Sequence, residues 1–303
     1  MKVAVMGSTG MLGTMCCRVL AEGGHEVVAT VRNPHYGEAL QESLGIETVG
    51  RLDVLAEDVQ SQLSALPEID AAVNCIGLIK QHMNDADPAS TWRALQINSV
   101  FPYHLDEFAA KRGIPVVQIA TDCVFSGLKG QSTELDPHDA HDVYGKTKSL
   151  GEAPRTAIRH LRCSIIGLEA KSSASLIGWF LSTPAGGQVN GFTNHLWNGV
   201  TTLHFARIAM AALENQTSLP PLQHVVAGDT LSKYDMLHCF AEAFDRKDIV
   251  IQASETPASV DRTLGTVRPE VNEELWQCAG YAAPPGVTQM IRELAEYGDA
   301  VRL

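Results

Sequence analysis

The sequence predicts an α/β fold in which a doubly wound parallel sheet is followed by a smaller mixed α/β region. The chain opens with an apolar run, a glycine-rich turn and a segment with helical periodicity. Apolar strand-like runs then alternate with helical segments up to about residue 167, where the alternation stops. Such alternation is typical of a parallel sheet covered by crossover helices, because that arrangement buries both faces of the sheet.

Composition narrows the class of protein. The chain has 303 residues, of which 45% are hydrophobic, so it can bury a full core as one large domain or two moderate ones. Its net charge of −12 disfavours a general binder of nucleic acid or acidic membranes. Seven cysteines without paired C-x-x-C spacing, no membrane-length apolar run, no metal-ligand cluster and a strand at the very start favour a cytoplasmic protein with reduced thiols.

The first strand, residues 3–6, leads into three glycines spaced by three and then into a helix over residues 11–20. This order of strand, glycine turn and helix is typical of a dinucleotide site, where backbone N–H groups and the helix N-terminus receive a diphosphate. The alternative is a purely structural turn. The residues predicted to hold the cofactor here are Gly7, Thr9, Gly10, Met11, Leu12 and Gly13.

The second strand, residues 26–31, ends in Arg32 and Asn33 instead of the carboxylate that usually holds the ribose 2′-hydroxyl of NAD. A guanidinium matches a phosphate, so Arg32 and Asn33, together with Thr30, are candidates for contacting a 2′-phosphate. We therefore favour NADP(H) over NAD(H). Arg32 as a simple polar residue at a strand end is the alternative.

The next elements are a helix over residues 35–44, a strand over residues 47–49 and then Asp53 with Val54. An aspartate just past a strand end is well placed to contact adenine. Asp53 could equally cap a helix that begins near Leu55.

A central strand over residues 70–75 runs into a glycine turn, and the predicted cofactor contacts there are Cys75, Ile76 and Gly77. Asn98 lies within the long helix that follows. It either bridges a neighbouring backbone or orders a catalytic water, and we include it among the cofactor-site residues. Strand 115–120 then ends at Thr121, on the edge of the sheet where ligands bind.

Tyr144 and Lys148 are four residues apart, a spacing that places both side chains on one face of a helix. A neighbouring ammonium stabilises a phenolate, so we expect Lys148 to lower the pKa of Tyr144 and to make it a useful proton donor. The alternative is a solvated helix face that carries both residues by chance.

These residues resemble the extended short-chain dehydrogenase/reductases. The resemblance rests on Gly7-x-x-Gly10-x-x-Gly13, Asn74-Cys75-Ile76-Gly77, Thr121 and Tyr144-x-x-x-Lys148. Within that family the segments 121–127, 144–148 and 151–152 are most similar to the dTDP-4-dehydrorhamnose reductases. The resemblance is specific over about residues 1–167, and it implies a Rossmann-type sheet.

The resemblance implies reduction of a 4-keto-6-deoxy nucleotide sugar by NADPH. Tyr144 would protonate the substrate carbonyl oxygen, Thr121 would donate a hydrogen bond to it, and Lys148 would hold the nicotinamide ribose; Tyr144 and Lys148 thus also contact the cofactor. Asp122 and Cys123 would face the substrate. Cys123 departs from the family, which has an aromatic residue there in reductases and Glu in related dehydratases, so dehydration is disfavoured.

The second half is less regular. A helix is expected over residues 174–181, followed by a loop-like stretch over residues 186–199 that is rich in amides, aromatics and glycines. Asn194 and Trp197 in this stretch are candidates for gripping a sugar and a base. A rigid loop with Trp197 in the core is the alternative.

A helix over residues 201–213 and a strand over residues 223–227 resemble the family's return to the nucleotide-binding domain. We also expect a helix over residues 232–244 and a strand over residues 249–252. Arg262 is the candidate contact for the substrate diphosphate, with surface salt bridging as its alternative.

The predicted domains are residues 1–167 plus about 200–228, which bind NADP, and about 168–199 plus 229–303, which bind the nucleotide sugar. Two other functions stay open: a nucleotide-sugar 4-epimerase, and a non-catalytic NADP(H)-binding regulatory or scaffold subunit. Neither a nucleic acid nor a membrane is expected as a partner, and a homodimer is the assembly considered.

Overall fold

The computed structural model of the protein describes residues 1–33, 35–46, 48–153, 156–169, 175–215 and 219–298. Its strands are β1 Lys2–Met6, β2 Glu26–Val31, β3 Thr48–Arg51, β4 Ala71–Asn74, β5 Val116–Thr121, β6 Ile158–Cys163, β7 Ile165–Ile166, β8 Gln188–Phe192, β9 His195–Trp197, β10 Val200–Thr201, β11 Leu222–His224, β12 Leu231–Ser232, β13 Val250–Ser254 and β14 Val260–Asp261. Its helices are α1 Met11–Glu22, α2 His35–Leu44, α3 Val59–Ser64, α4 Pro88–Ala94, α5 Phe101–Arg112, α6 Val143–Leu150, α7 Leu176–Leu181, α8 Thr202–Glu214, α9 Lys233–Ala243, α10 Pro269–Cys278 and α11 Val287–Gly298. A π-helical segment, Leu95–Val100, joins α4 to α5.

Seven parallel strands form the main sheet, in the order β3-β2-β1-β4-β5-β6-β11. The chain passes from β1 outward to β2 and β3 and then returns to place β4 on the other side of β1. This reversal opens a crevice at the carboxyl ends of β1 and β4, where ligands bind in sheets of this kind. Met6 and Asn74 face each other there across the register.

Successive side chains along each strand point to opposite faces of the sheet, so each face has its own part of the hydrophobic core. Val3 and Val5 pack with residues of α1 and α8 on one face. Ala4 and Met6 pack with residues of α3 and α5 on the other. The sheet is therefore covered on both faces, which confirms the predicted doubly wound, Rossmann-type architecture.

The first long helix and one strand of the second half join the main sheet, and the other elements of that half form smaller sheets and helices of their own. Helix α8 packs against α1, and β11 adds a seventh strand beside β6. The remaining chain forms the small β8–β13 pair, the three-stranded sheet β12-β9-β14 and the helices α9, α10 and α11. The division into a cofactor domain and a substrate domain stays a proposal. No helix within the described ranges is long and apolar enough to cross a membrane.

Two sequence expectations need correction, and two expected element bounds lie outside the described residues. The stretch over residues 186–199 is not one loop, because β8 and β9 lie within it and pair with β13 and β14 from about 60 residues later. The helix expected near Leu55 begins at Val59. Ala174, the expected start of another helix, lies outside the described residues, as does Glu47; α7 begins at Leu176 after its N-cap Ser175.

Candidate active site

The glycine turn after β1 has the close packing that a dinucleotide turn requires. Gly7 has a φ of +79°, and its carbonyl oxygen accepts the N–H of Gly10 at 3.0 Å. A Cβ at Gly13 would overlap that same carbonyl oxygen, so only glycine lets α1 start so near β1. A Cβ at Gly10 would lie 3.4 Å from the Gly7 oxygen, and it would fit.

A cavity of about 560 Å³ lies over this turn. The predicted cofactor residues that line it are Gly7, Thr9, Gly10, Arg32, Asn33, Asp53, Val54, Ile76 and Gly77. Its lining also includes residues that the sequence did not point to, namely Leu52, Leu55, Leu78, Arg93 and Ile97. They were missed because they come from the helical segments and loops flanking the crevice and carry no motif.

Other predicted cofactor residues offer no free polar side-chain group to the cavity, although Thr30 is part of its lining. Leu12 and Gly13 are buried against the sheet. The Sγ atom of Cys75 lies 3.8 Å from that of Cys16 on α1 and so is directed into the core. Thr30 is 1% exposed, and its hydroxyl donates to the Val5 carbonyl at 3.2 Å and accepts the Gly7 N–H at 3.3 Å. Thr30 therefore supports the turn and does not present a free hydroxyl to a phosphate.

Two arginines, Arg32 and Arg93, are among the residues that line the cavity. Arg32 is exposed at the end of β2, and Arg93 lines the cavity from α4. Asp53 lines the same region while its Oδ1 accepts the N–H of Leu55 at 3.1 Å. Asp53 thus lines the cavity and also stabilises a local turn. It does not cap helix α3, whose N-cap is Asp58.

Asn98 is a structural bridge. It is 2% exposed and lies in the π-helical segment. Its Oδ1 accepts the Leu78 N–H at 2.8 Å, while its Nδ2 donates to the Leu78 carbonyl at 3.0 Å and to Thr147 Oγ1 at 3.2 Å. The backbone-bridging alternative therefore describes Asn98, which holds the wall of the cavity to helix α6 and does not line the cavity itself.

Helix α6 and the end of β5 bring the predicted catalytic residues together. Asp142 caps α6 by accepting the Gly145 N–H at 2.7 Å, and Tyr144 and Lys148 follow on one face. The Thr121 hydroxyl accepts the Cys123 N–H at 3.1 Å and donates to Asp122 Oδ1 at 3.4 Å. It also lies near enough to the Tyr144 phenol to act on its pKa, so Thr121 both caps the turn after β5 and neighbours the candidate proton donor.

Burial has the largest effect on the pKa values of Tyr144 and Lys148. Burial raises the pKa of Tyr144, and the negative field of neighbouring groups adds to that, whereas the neighbouring Thr121 hydroxyl opposes it. The expected lowering of the Tyr144 pKa by Lys148 is wrong, because burial and the neighbouring negative groups both raise that pKa and Lys148 is not among the groups that act on it. Tyr144 is thus protonated at neutral pH, which is the form that a proton donor needs.

Lys148 lies between β5 and the glycine turn at Gly77. It is 8% exposed, and its Nζ donates to the Ile119 carbonyl at 3.4 Å and would be 3.8 Å from a Cβ at Gly77. Burial lowers the pKa of Lys148, and the negative charge of Glu152 opposes that effect. Its ammonium is placed to reach a group bound over Gly77.

A cation that sequence reasoning missed, Lys233, acts on Asp122. Asp122 is 4% exposed, and burial raises its pKa against the opposing fields of Arg262 and Lys233. Burial also raises the pKa of the Cys123 thiol to about 12, so Cys123 is not a thiolate. Lys233 could not be assigned from sequence, because only the pairing of distant strands brings it to Asp122.

Two predicted substrate residues have structural roles instead. Trp197 is 1% exposed, because Gly199 and the core pack around its indole, so its core alternative holds. The amide of Asn194 donates to the Thr256 carbonyl at 2.8 Å and accepts the Thr256 N–H at 3.2 Å.

Arg262 donates through Nη1 to the Phe125 carbonyl at 2.5 Å and acts on the carboxylate of Asp122. Arg262 therefore faces the candidate site and does not form a surface salt bridge.

Comparisons with known proteins agree with this geometry. Residues 1–166 match the family model described as the RmlD substrate binding domain. The spore coat polysaccharide biosynthesis protein SpsK of Bacillus subtilis is 30% identical over 155 residues, which are 50% of this chain and 47% of SpsK. The dTDP-4-dehydrorhamnose reductase of Streptomyces griseus is 30% identical over 151 residues, 49% of this chain and 42% of that enzyme. The chain thus spans about half the length of these curated relatives.

Among solved structures, the dTDP-4-dehydrorhamnose reductase of Bacillus anthracis in complex with NADP superposes with a TM-score of 0.73 at 14% identity. The superposition covers 98% of this chain and 99% of that one. Likeness at this identity is a likeness of fold, and it extends through the second half, beyond the segment that the family model matches.

Proposed function

Because the chain belongs to the RmlD substrate-binding-domain family, we propose that it is a reductase that uses NADPH to reduce the keto group of a 4-keto-6-deoxy nucleotide sugar. The observation that carries the proposal is the meeting of Thr121, Tyr144 and Lys148 at the end of β5, beside the cavity over the glycine turn. A hydroxyl donor, a protonated phenol and a buried ammonium are the groups that carbonyl reduction needs.

The residues around the cavity fit a dinucleotide. Gly7 and Gly10 expose their backbone to it, and Gly13 permits the close helix start. Arg32 and Arg93 would hold a 2′-phosphate, since guanidinium groups match phosphate geometry. Lys148 would bind the nicotinamide ribose above Gly77. The bound nicotinamide supplies hydride chemistry, and the remaining steps fall to this chain.

In the proposed reaction the protein stabilises and then protonates a developing alkoxide. Thr121 donates a hydrogen bond to the carbonyl oxygen, and Tyr144 transfers its phenolic proton to the same atom as charge develops there. The raised pKa of Tyr144 keeps that proton in place until the alkoxide, a far stronger base, appears. The positive charge of Lys148 stabilises the phenolate that results.

The names of the relatives support the substrate class. The matched relative from Streptomyces griseus is a dTDP-4-dehydrorhamnose reductase, and that from Bacillus subtilis takes part in polysaccharide biosynthesis. A nucleotide sugar whose keto group is reduced for polymer synthesis is the substrate that both names suggest. A cytoplasmic location and a homodimer stay predictions.

Two measurements test the proposal. A thermal-shift panel of dTDP-, UDP- and GDP-sugars with NADP(H) should identify the base, because a ligand that binds the native state raises its stability. With the matching 4-keto-6-deoxy sugar, the protein should oxidise one NADPH for each sugar reduced, as followed by NADPH absorbance and product chromatography. Loss of NADPH without a reduced sugar, or no loss at all, would refute reduction.

The same preparation separates reduction from 4-epimerisation. An epimerase regenerates its cofactor and holds it tightly, whereas a reductase must release NADP⁺ after each turnover. We expect gel filtration to free the protein of NADP(H) and its activity to need added NADPH. A co-purifying NAD that supports interconversion of two sugars without added cofactor would favour the epimerase.

A further inference from the structure

The loop between β4 and α4 connects the cofactor cavity to the start of helix α6. Gly77 and Leu78, at the beginning of this loop, line the cavity. Two residues further along, the Nζ atom of Lys80 lies 2.7 Å from Oδ2 of Asp142, the residue before α6. Near the end of the loop, Oδ2 of Asp85 accepts the first N–H of α6 at 3.1 Å. The same loop therefore contacts both the cavity and the first turn of α6.

Asp142 uses its two carboxylate oxygens for two different contacts. Oδ1 accepts the Gly145 N–H at 2.7 Å and so caps α6. Oδ2 accepts a hydrogen bond from the ammonium of Lys80. Removal of the Lys80 ammonium would therefore leave the helix cap in place while it loosens the connection between the loop and α6.

The first turn of α6 cannot shift far without displacing Tyr144. A Cβ at Gly145 would lie 2.4 Å from the Cys123 carbonyl oxygen and 2.4 Å from the Ala140 Cβ. The first turn therefore packs closely on the chain that follows Thr121. Because Tyr144 directly precedes Gly145, a small displacement of the helix start would change the position of the phenol relative to the Thr121 hydroxyl.

The ion pair also places a positive charge on a carboxylate that acts on the phenol. Burial raises the pKa of Asp142, but the hydrogen bonds from the helix N–H and from Lys80, together with the charge of Lys80, outweigh burial and lower it. The ionisable groups that act on Tyr144 include Cys123 and Asp122, in the turn after β5, and Asp142. Lys80 therefore offsets the part of this negative field that comes from the start of α6.

The pair is too exposed to contribute much to folding. The side chains of Lys80 and Asp142 are 62% and 28% exposed. Ion pairs of this kind add little to stability, because water competes for both groups. An effect of Lys80 on turnover would therefore not arise from unfolding.

We propose that Lys80 is a positioning residue for the reduction, an inference that rests on the proposed function. Its ion pair with Asp142 holds the loop that lines the cavity against the first turn of α6. A nicotinamide bound over Gly77 and the phenol of Tyr144 then keep the relative position that transfer of a hydride and a proton to one carbonyl group requires. In the part of the chain that the structure describes, Lys80 does not line the cavity, so it acts through Asp142 and the loop.

Steady-state kinetics with NADPH and the matching 4-keto-6-deoxy nucleotide sugar test this role in a set of variants. Lys80→Met removes the charge and keeps the aliphatic stem, and Lys80→Arg restores a cation. Asp142→Asn removes the negative charge and keeps the helix cap, since asparagine caps helices about as well as aspartate does. Lys111→Met breaks an exposed ion pair with Glu107 inside α5, 2.6 Å in length, and is the matched control.

We expect Lys80→Met to lower kcat about tenfold, because a misplacement of about 1 Å between reacting groups can cost about 100-fold. The dissociation constant for NADPH, from fluorescence titration, and the melting temperature should change little. Lys80→Arg should recover most of the lost rate, and Lys111→Met should turn over as the unmodified protein does.

A double variant shows whether the two residues act through one contact. Asp142→Asn alone should lower kcat in the same direction as Lys80→Met. Lys80→Met combined with Asp142→Asn should be no slower than the slower of the two single variants, because both substitutions break the same ion pair.

A kcat of Lys80→Met equal to that of the unmodified protein would overturn the proposal. Rate losses that multiply in the double variant would do so as well, because the two residues would then act independently. A loss of rate that Lys80→Arg does not recover, or that comes with a lower melting temperature, would assign Lys80 a structural role instead. All these results require an active unmodified protein, whereas failure of the proposed function would leave the unmodified protein without NADPH-dependent reduction.

Discussion

At the level of single side chains, the site depends on what burial does to each ionisable group. Burial raises the pKa of Tyr144 and lowers that of Lys148, so both groups are driven toward their neutral forms. For a proton donor this is favourable, because Tyr144 stays protonated until the substrate oxygen becomes basic. In the proposed reaction, the Thr121 hydroxyl donates a hydrogen bond to the oxygen atom that receives this proton.

Replacing Tyr144 by Phe should therefore separate binding from chemistry. The ring remains but the proton is lost, so we expect turnover to fall by about 100- to 10,000-fold while NADPH affinity changes little. Steady-state kinetics and fluorescence titration with NADPH measure the two effects. Turnover equal to that of the unmodified protein would exclude Tyr144 as the acid.

The presence of Arg32 and Arg93 in the cavity lining predicts a preference for NADPH over NADH. Arg32→Asp replaces a phosphate partner with a repelling charge, so NADPH should bind at least about tenfold more weakly while NADH is nearly unaffected. Arg93→Ala should act in the same direction by a smaller factor. Dissociation constants for both cofactors provide the comparison, and equal weakening of NADPH and NADH would remove the 2′-phosphate contact.

At the level of elements, the glycines at the start of α1 have different tasks. A Cβ at Gly13 would overlap the Gly7 carbonyl oxygen and push α1 away from β1, whereas a Cβ at Gly10 would fit. Sequence spacing alone treats these positions as equivalent. The structure separates helix packing at Gly13 from access to the cavity at Gly10.

Gly13→Ala should destabilise the protein by about 1–3 kcal/mol, as overpacked interiors usually do. Gly10→Ala should leave the melting temperature nearly unchanged and weaken NADPH, because the added methyl group narrows the cavity. Thermal unfolding without cofactor, followed by NADPH titration, distinguishes the two variants. Similar melting temperatures for both would mean that α1 adjusts to the added Cβ.

At the level of the whole molecule, buried polar clusters join the second half to the main sheet. Arg162 on β6 is fully buried and pairs with Glu152, while its Nη1 contacts His224 Nε2 at 2.8 Å. His204 on α8 contacts the Tyr281 hydroxyl at 2.9 Å. Burial lowers the pKa values of both histidines to about 4, so both are neutral in the folded protein at neutral pH.

Stability should therefore fall in mild acid. The unfolded chain takes up these protons near pH 6.5 and the folded chain only near pH 4, so stability is intact above pH 6.5 and is lost as the pH falls between these values. At pH 5 the loss is about 2 kcal/mol for each histidine. Urea unfolding at pH 7.5 and pH 5 measures this difference.

His224→Asn should flatten that pH dependence, and His141→Gln, at an exposed loop position, should leave it unchanged. Equal stability of the unmodified protein at the two pH values would show that the buried histidines accept protons without unfolding.

The sequence by itself determined the parallel sheet, the glycine turn and the order Thr121, Tyr144, Lys148, because these depend on local periodicity and on spacing within one helix or turn. Only the tertiary structure decided which of the candidate side chains are buried and which groups act on one another. Lys233 and Arg262, which are distant from Asp122 in sequence, both act on its carboxylate, and Trp197, a candidate substrate contact, lies in the core. Desolvation likewise reversed the expected pKa shift of Tyr144, since burial is a property of the folded chain and not of residue spacing.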